Sequence, residues 1–212
     1  MIEKEGRKCL TIPFDLTNLK SVDKIIKKHM DTFGALDIVV NNASRQMMCK
    51  NFEEIDLGFI PFHNTTDRSD SVEETFRSNI LQMFAVTKFA LPHLKKGSSI
   101  INTTSVTAYR GSPAMVDYAA TKGAIVSFTR SLAKQLAPKG IRVNAVAPGP
   151  VHTPLQPASR SPDEMEKFGE KSLLGRPAQP SEIAPSYVWL ASAEAAYYVG
   201  AVLHPSAEVL NN

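Results

Sequence analysis

Short apolar runs alternate with longer stretches of helical periodicity along the whole of this 212-residue chain, and few architectures accept that order. Apolar runs at residues 7–14 (with Cys9-Leu10-Thr11-Ile12 at the centre), 36–41, 98–104, 141–147 and 201–203 suit buried strands. Between the first two, Leu19, Val22, Ile25, Ile26 and Met30 recur at helical spacing, and Gly34 is a stop signal. Ser71 followed by Glu74 has the form of a capping box and opens a long helix over 71–96, through Phe76, Ile80, Phe84, Leu91 and Leu94. A helix over 115–137 carries Ile125, Phe128, Leu132 and Leu136 on one face, and Pro138-Lys139-Gly140 ends it. Ser161-Pro162-Asp163-Glu164 is a second capping box, and a last helix is expected over 181–191. Such alternation predicts right-handed βαβ crossovers: an α/β fold with a doubly wound parallel sheet covered on both faces.

The length suits one domain with a substantial core. A net charge of +3, with Lys and Arg scattered among acids, argues against nucleic-acid binding and against a polybasic membrane anchor. Cys9 and Cys49 have neither metal-ligand nor disulfide-framework spacing, which points to a reducing compartment. No apolar leader and no long apolar stretch is present, so a cytoplasmic protein with no membrane partner is the expectation. Residues 58–70 break the helical pattern with Pro61, Asn64 and Asp67 and are expected to form a surface loop.

The residues with chemistry in them form one constellation. Ser105 is followed thirteen positions later by Tyr118 and one helical turn after that by Lys122; Asn79 lies upstream and Pro148-Gly149-Pro150 downstream. Tyr118 and Lys122, four apart on a helix, share a face. Ser105 leaves the end of a parallel strand, where open α/β sheets bind their ligands. A phenol titrates near 10, so bringing it to about 7 takes roughly 4 kcal/mol of phenolate stabilisation, which a neighbouring ammonium helps to supply. Taken singly, Asn79, Ser105 and Tyr118 are ordinary helix or cap residues; their joint placement at a strand end and along one helix face is not ordinary. One absence matters equally. The sequence holds no Gly-x-Gly-x-x-Gly or Gly-x-x-x-Gly-x-Gly to cradle a diphosphate.

Asn79, Ser105, Tyr118 and Lys122, in that order, resemble the catalytic set of the short-chain dehydrogenase/reductase family, which has a Rossmann-like fold. Asn41-Asn42-Ala43-Ser44 is similar to that family's Asn-Asn-Ala-Gly motif, and Asp15-Leu16 to the acid-bearing end of its third strand. Pro148-Gly149-Pro150-Val151 with Thr153 looks like its nicotinamide-side turn. The stretches 101–109, 121–125 and 149–157 resemble the glucose/ribitol-dehydrogenase-like subgroup. The resemblance implies an NADP- or NAD-dependent oxidoreductase that interconverts a secondary alcohol and a ketone. Tyr118 would be the general acid/base, Ser105 would hold the substrate oxygen, and Lys122 would lower the phenol's pKa. Asn79 would help hold a water that joins Lys122 to solvent. Asp15, Leu16, Asn41, Tyr118, Lys122, Pro148, Gly149, Val151 and Thr153 would meet the cofactor, with no metal. It also implies a homo-oligomer paired through the helices over 71–96 and 115–137.

Four departures from the family pattern accompany the resemblance. The opening strand, glycine-rich turn and following strand and helices have no counterpart, which implies an N-terminally truncated domain with an uncovered sheet edge beside 36–41. Ser44 stands where glycine is expected. Residues 58–70 resemble an insertion. Ser206-Ala207 stands where the subgroup has Asn-Gly-Gly. The substrate itself is not legible: the segment 151–180 that would grip it mixes His152, Leu155, Arg160 and Phe168. Two functions remain open at this point, the oxidoreductase and a catalytically inactive chain acting at most as a dimerisation partner.

Overall fold

In a computed structural model, residues 2–58 and 71–210 are described; the loop expected over 58–70 lies, beyond Gly58, outside them. Four parallel strands make the sheet: β1 Ile38–Asn41, β2 Ser99–Thr103, β3 Arg142–Val146 and β4 Val202–Leu203, in that order across the sheet. Ile38 pairs with Ser99, and Ile101 with Asn144. Helices α1 Asp23–Phe33, α3 Gln82–Ala90 and α5 Val116–Leu136 cover one face, and α7 Pro180–Ala191 the other. Neighbouring residues of β2 show why both faces are apolar. Ile100 packs with Ala90, Ala133 and Leu136, while Ile101 on the opposite face packs with Ile183 and Leu190. The doubly wound parallel fold is therefore as expected.

Local signals set most boundaries. Gly34 ends α1 in the left-handed conformation at φ 75°, and Gly140 does the same at φ 71° for the turn after α5. Ser161 forms a reciprocal capping box with Glu164 at the start of α6 Pro162–Glu166. Ser71 accepts from Glu74 N at 3.3 Å to open α2 Val72–Phe76.

One expectation is corrected. Residues 7–14 form no strand. Leu10, Ile12 and Phe14 are half-buried and Cys9, Thr11 and Pro13 exposed, so the two-residue period is present, but no ladder partner lies beside it. A strand is a property of a pair, and Pro13 removes one donor besides. The helix over 71–96 forms as one unbroken run from Val72 to His93, but it is not α-helical throughout. A π-helical turn, Arg77–Leu81, separates α2 from α3, and Asn79 sits at its middle. Among the described residues no strand pairs with the outer side of β1, where Ile38 is 45% and Val40 47% exposed.

Candidate active site

Parallel strands bring all their C-terminal ends to one side of the sheet, and a cleft of about 610 Å³ opens there. Asn42, Ala43 and Ser44 line it after β1, Thr104 and Ser105 after β2, and Pro148 and Gly149 after β3, with Tyr118 and Lys122 from α5. Val151, Thr153 and Gln156 close one wall, and Ile183 and Tyr187 of α7 another. The backbone ties these ends together: Thr104 N donates to Val146 O at 2.8 Å and Val106 N to Pro148 O at 3.1 Å.

Ser105, Tyr118 and Lys122 converge as their spacing predicts. The Ser105 hydroxyl lies near enough to the Tyr118 phenol to favour its ionised form, and Lys122 Nζ stands 5.3 Å from the centre of the Tyr118 ring. All three are buried, Lys122 to 2% exposure. Burial dominates their protonation. It pushes Tyr118 up to about 12, against which the neighbouring Ser105 hydroxyl and the positive charge of Arg160 act. It pulls Lys122 down to about 7. Within the protein alone, burial outweighs the other influences on both groups. A lysine that has lost its water gives up its charge near neutral pH, and desolvation of the phenol wins.

Asn79 puts its side chain to a structural task. Its side chain, 0% exposed, is fully engaged: Oδ1 accepts from Arg45 N at 2.8 Å, Ser44 Oγ at 3.1 Å and Ser78 Oγ at 3.1 Å. Its amide donates to Arg45 O at 3.0 Å and Thr121 Oγ1 at 3.1 Å. The side chain clamps the loop after β1 to α5, which leaves the backbone of Asn79 as its group for any water. Ser44, the departure from glycine, is accommodated by that same bond to Asn79. The Asn41 side chain likewise points inward, donating to Thr87 Oγ1 and Asn102 Oδ1 at 3.2 and 2.9 Å, while its neighbours Val40 and Asn42 line the cleft. Asp15 is exposed, its carboxylate held below the usual range by the Thr17 N–H and hydroxyl, and neither it nor Leu16 reaches the cleft.

Gly149 has a structural reason to be glycine. A Cβ there would lie 2.3 Å from Ser206 O, so the crossing of two backbones requires it. Thr103 and Tyr187 are site residues the sequence did not announce. Lys122 Nζ donates to Thr103 O at 3.0 Å, and the Thr103 hydroxyl bonds Asn42 Oδ1 at 2.9 Å and the Tyr187 phenol at 2.7 Å. The only available signal for Tyr187 is its position one helical turn beyond the cleft-lining Ile183.

The comparisons agree with this geometry. The family described as "Enoyl-(Acyl carrier protein) reductase" matches residues 1–206. The chain belongs to the short-chain dehydrogenase/reductase family. Among its curated relatives in that family, "NADPH-dependent aldehyde reductase 1, chloroplastic" of Arabidopsis thaliana is 44% identical over 98% of this chain and 68% of its own length. "Glucose and ribitol dehydrogenase" of Daucus carota is 44% identical over 96% of this chain and 66% of its own. A crystal structure of a 3-ketoacyl-(acyl-carrier-protein) reductase from Brucella melitensis complexed with NADH superposes with a TM-score of 0.80 at 28% identity, covering 93% of this chain and 77% of that one. The chain spans about two thirds of the length of these curated relatives. Family membership and the Rossmann-like sheet expected from the sequence therefore stand, with oxidoreductases as its relatives.

The residues in the cleft fit one half of a nicotinamide dinucleotide. Lys122 has one acceptor among the described residues, Thr103 O, so N–H capacity remains beside Tyr118 for a polar ligand in either protonation state. Pro148, Gly149, Val151 and Thr153 form the adjoining wall. The diphosphate half is not matched: no glycine-rich turn exists in the sequence, and Asp15 and Leu16 lie outside the cleft. No helix among the described residues is long and apolar enough to cross a membrane.

Proposed function

We propose that this chain carries the catalytic half of an NADP- or NAD-dependent oxidoreductase that interconverts a secondary alcohol and a ketone, with Tyr118 as general acid/base. One observation carries it: Ser105, Tyr118 and the buried Lys122 line one cleft at the strands' C-terminal ends, with Lys122 Nζ 5.3 Å from the centre of the Tyr118 ring. A nicotinamide, when bound, supplies or accepts the hydride and in its oxidised form adds a positive charge beside the phenol. Lys122 and the 148–153 wall would hold its nicotinamide end. Everything else falls to side chains of this chain. Ser105 positions the substrate oxygen by hydrogen bonding. Tyr118, kept protonated at neutral pH by burial, is in the right state to give its proton to that oxygen, so the bare site favours the reducing direction. Lys122, titrating near 7 and anchored by Thr103 O, can return a proton to the phenol side of the cleft. The competing idea, an inactive pairing partner, gains no support from the site, since all three reacting groups are present and together.

Tyr118→Phe is the test. It removes the proton and keeps the ring that packs over Lys122. Turnover should fall by about 10²-fold or more, the typical worth of a positioned acid, while nicotinamide affinity stays within a few-fold. A Phe variant with near-normal turnover would sink the assignment. We further propose self-association through the outer face of α2, α3 and α5. Leu81, Phe84 and Val116 are 43, 53 and 41% exposed there, and Phe84 stacks against Phe128 at 4.5 Å. Sedimentation of Phe84→Glu should show a smaller species than the parent chain.

A further inference from the structure

A second positive charge stands beside Tyr118, outside the acid–base set. Arg160 lies half-buried in the segment after Thr153. Its guanidinium donates to Gln156 Oε1 and lies over the Phe168 ring, 5.0 Å from the centroid. This platform is built rather than loose. Gln156 is a wall of the cleft, and Gln46, 5% exposed in the loop after β1, donates to Gln156 Oε1 at 3.1 Å and to Ser159 Oγ at 2.8 Å. Thus the sheet end that carries Ser44 also holds the turn that carries Arg160.

The nearest acid acts on this arginine through its charge alone, without an ion pair among the described residues. Glu164, four residues on, is bound to Lys50 at 3.2 Å and to Ser161 N at 3.1 Å, and among the described residues Arg160 forms no ion pair. Burial weakens its hold on its proton, against which the charge of Glu164 and then the Tyr118 phenol act. Keeping a half-desolvated guanidinium on a neutral glutamine and a ring is costly unless an anion completes it. Gln156 takes one of five guanidinium donors, which leaves a fork suited to two oxygens of one anion.

We propose that Arg160 selects substrates that carry an oxyanion, a carboxylate or a phosphate, a few bonds from the carbonyl that faces Ser105 and Tyr118. This rests on the oxidoreductase function proposed above and adds the substrate class. A neutral ketone of the same size leaves the guanidinium without its partner and binds less well.

Four probes test it on the 212-residue chain: acetoacetate against methyl acetoacetate, and dihydroxyacetone phosphate against dihydroxyacetone, each titrated by NMR. At least one anion should bind about tenfold or more tightly than its neutral counterpart, the worth of a charge-assisted hydrogen bond. Which pair shows the preference tells carboxylate from phosphate. Arg160→Gln should erase the preference without changing the neutral probe, and Arg160→Lys should restore part of it. Equal affinity for charged and neutral probes in the parent chain overturns the proposal, as does a preference that survives Arg160→Gln. Nicotinamide oxidation with the same probes separates the two levels. Turnover without anion preference removes the role of Arg160 alone. An Arg160-dependent preference with no turnover of any probe leaves the anion site standing and counts against the oxidoreductase.

Discussion

Replacing Lys122 by Met should stabilise the chain at neutral pH, and the gain should vanish as the pH rises. Lys122 is 2% exposed and its single protein acceptor is Thr103 O at 3.0 Å. Burial takes its ammonium from an ordinary 10.5 to about 7. Below about pH 7 both folded and unfolded chains hold this proton, and the folded state bears the full desolvation cost of about 5 kcal/mol. Between about 7 and 10.5 the unfolded chain binds a proton that the folded chain has released, so the stability of the parent rises with pH by about 1.4 kcal/mol per unit. Met fills a similar volume without a charge and has no such dependence. Against its gain stands Thr103 O, left without its donor at a cost of about 1–3 kcal/mol. The Met variant should therefore be more stable by roughly 2–4 kcal/mol at about pH 6.5, with the advantage reversing between about pH 8.5 and 10. Urea unfolding followed by far-UV circular dichroism across that range reads both quantities. A difference that stays constant with pH refutes the reasoning, because it means the ammonium keeps its charge and its solvation inside the cleft.

Other substitutions probe the frame around the site. Gly149→Ala should cost about 2–3 kcal/mol, since its methyl would meet backbone atoms of Ser206 at 2.3 and 2.8 Å; an unchanged melting temperature would show that the two backbones part easily. Ala207 is the one described non-glycine residue with positive φ, at 49°, where the resemblance leads one to expect glycine. Ala207→Gly should raise stability by about 0.5–1 kcal/mol, relief of left-handed strain exceeding the entropy of glycine, and calorimetry should show a rise of a few degrees. NAD(P)H should bind this 212-residue chain more weakly than the low-micromolar range, because no glycine-rich turn meets the diphosphate. Isothermal titration showing tight binding would mean that another segment supplies those donors.

Much of the fold is carried by short-range information, and those parts were legible. The left-handed stops at Gly34 and Gly140, the capping box at Ser161 and the cap at Ser71 depend on residues within one turn of each other. So does the shared face of Tyr118 and Lys122, which a spacing of four residues guarantees on any helix. The alternation of apolar runs and helical periods carried the parallel sheet for the same reason, since each period reports which face of its own element is buried.

What tertiary structure decided is where long-range partners and water are. Residues 7–14 have the period of a strand and no neighbour to complete the ladder, so they remain extended and unpaired. The π-helical turn at Arg77–Leu81 and the inward amides of Asn41 and Asn79 answer to Thr87, Asn102, Arg45 and Thr121, residues 34 to 61 positions away that no local pattern names. Asp15 keeps its carboxylate in solvent because its near neighbour Thr17 engages it and nothing brings it to the cleft. The protonation of the site was hidden most deeply. Sequence spacing places an ammonium near a phenol and suggests that one lowers the pKa of the other. Burial of both, which belongs to the whole packed core and to no single segment, instead raises the phenol and neutralises the lysine.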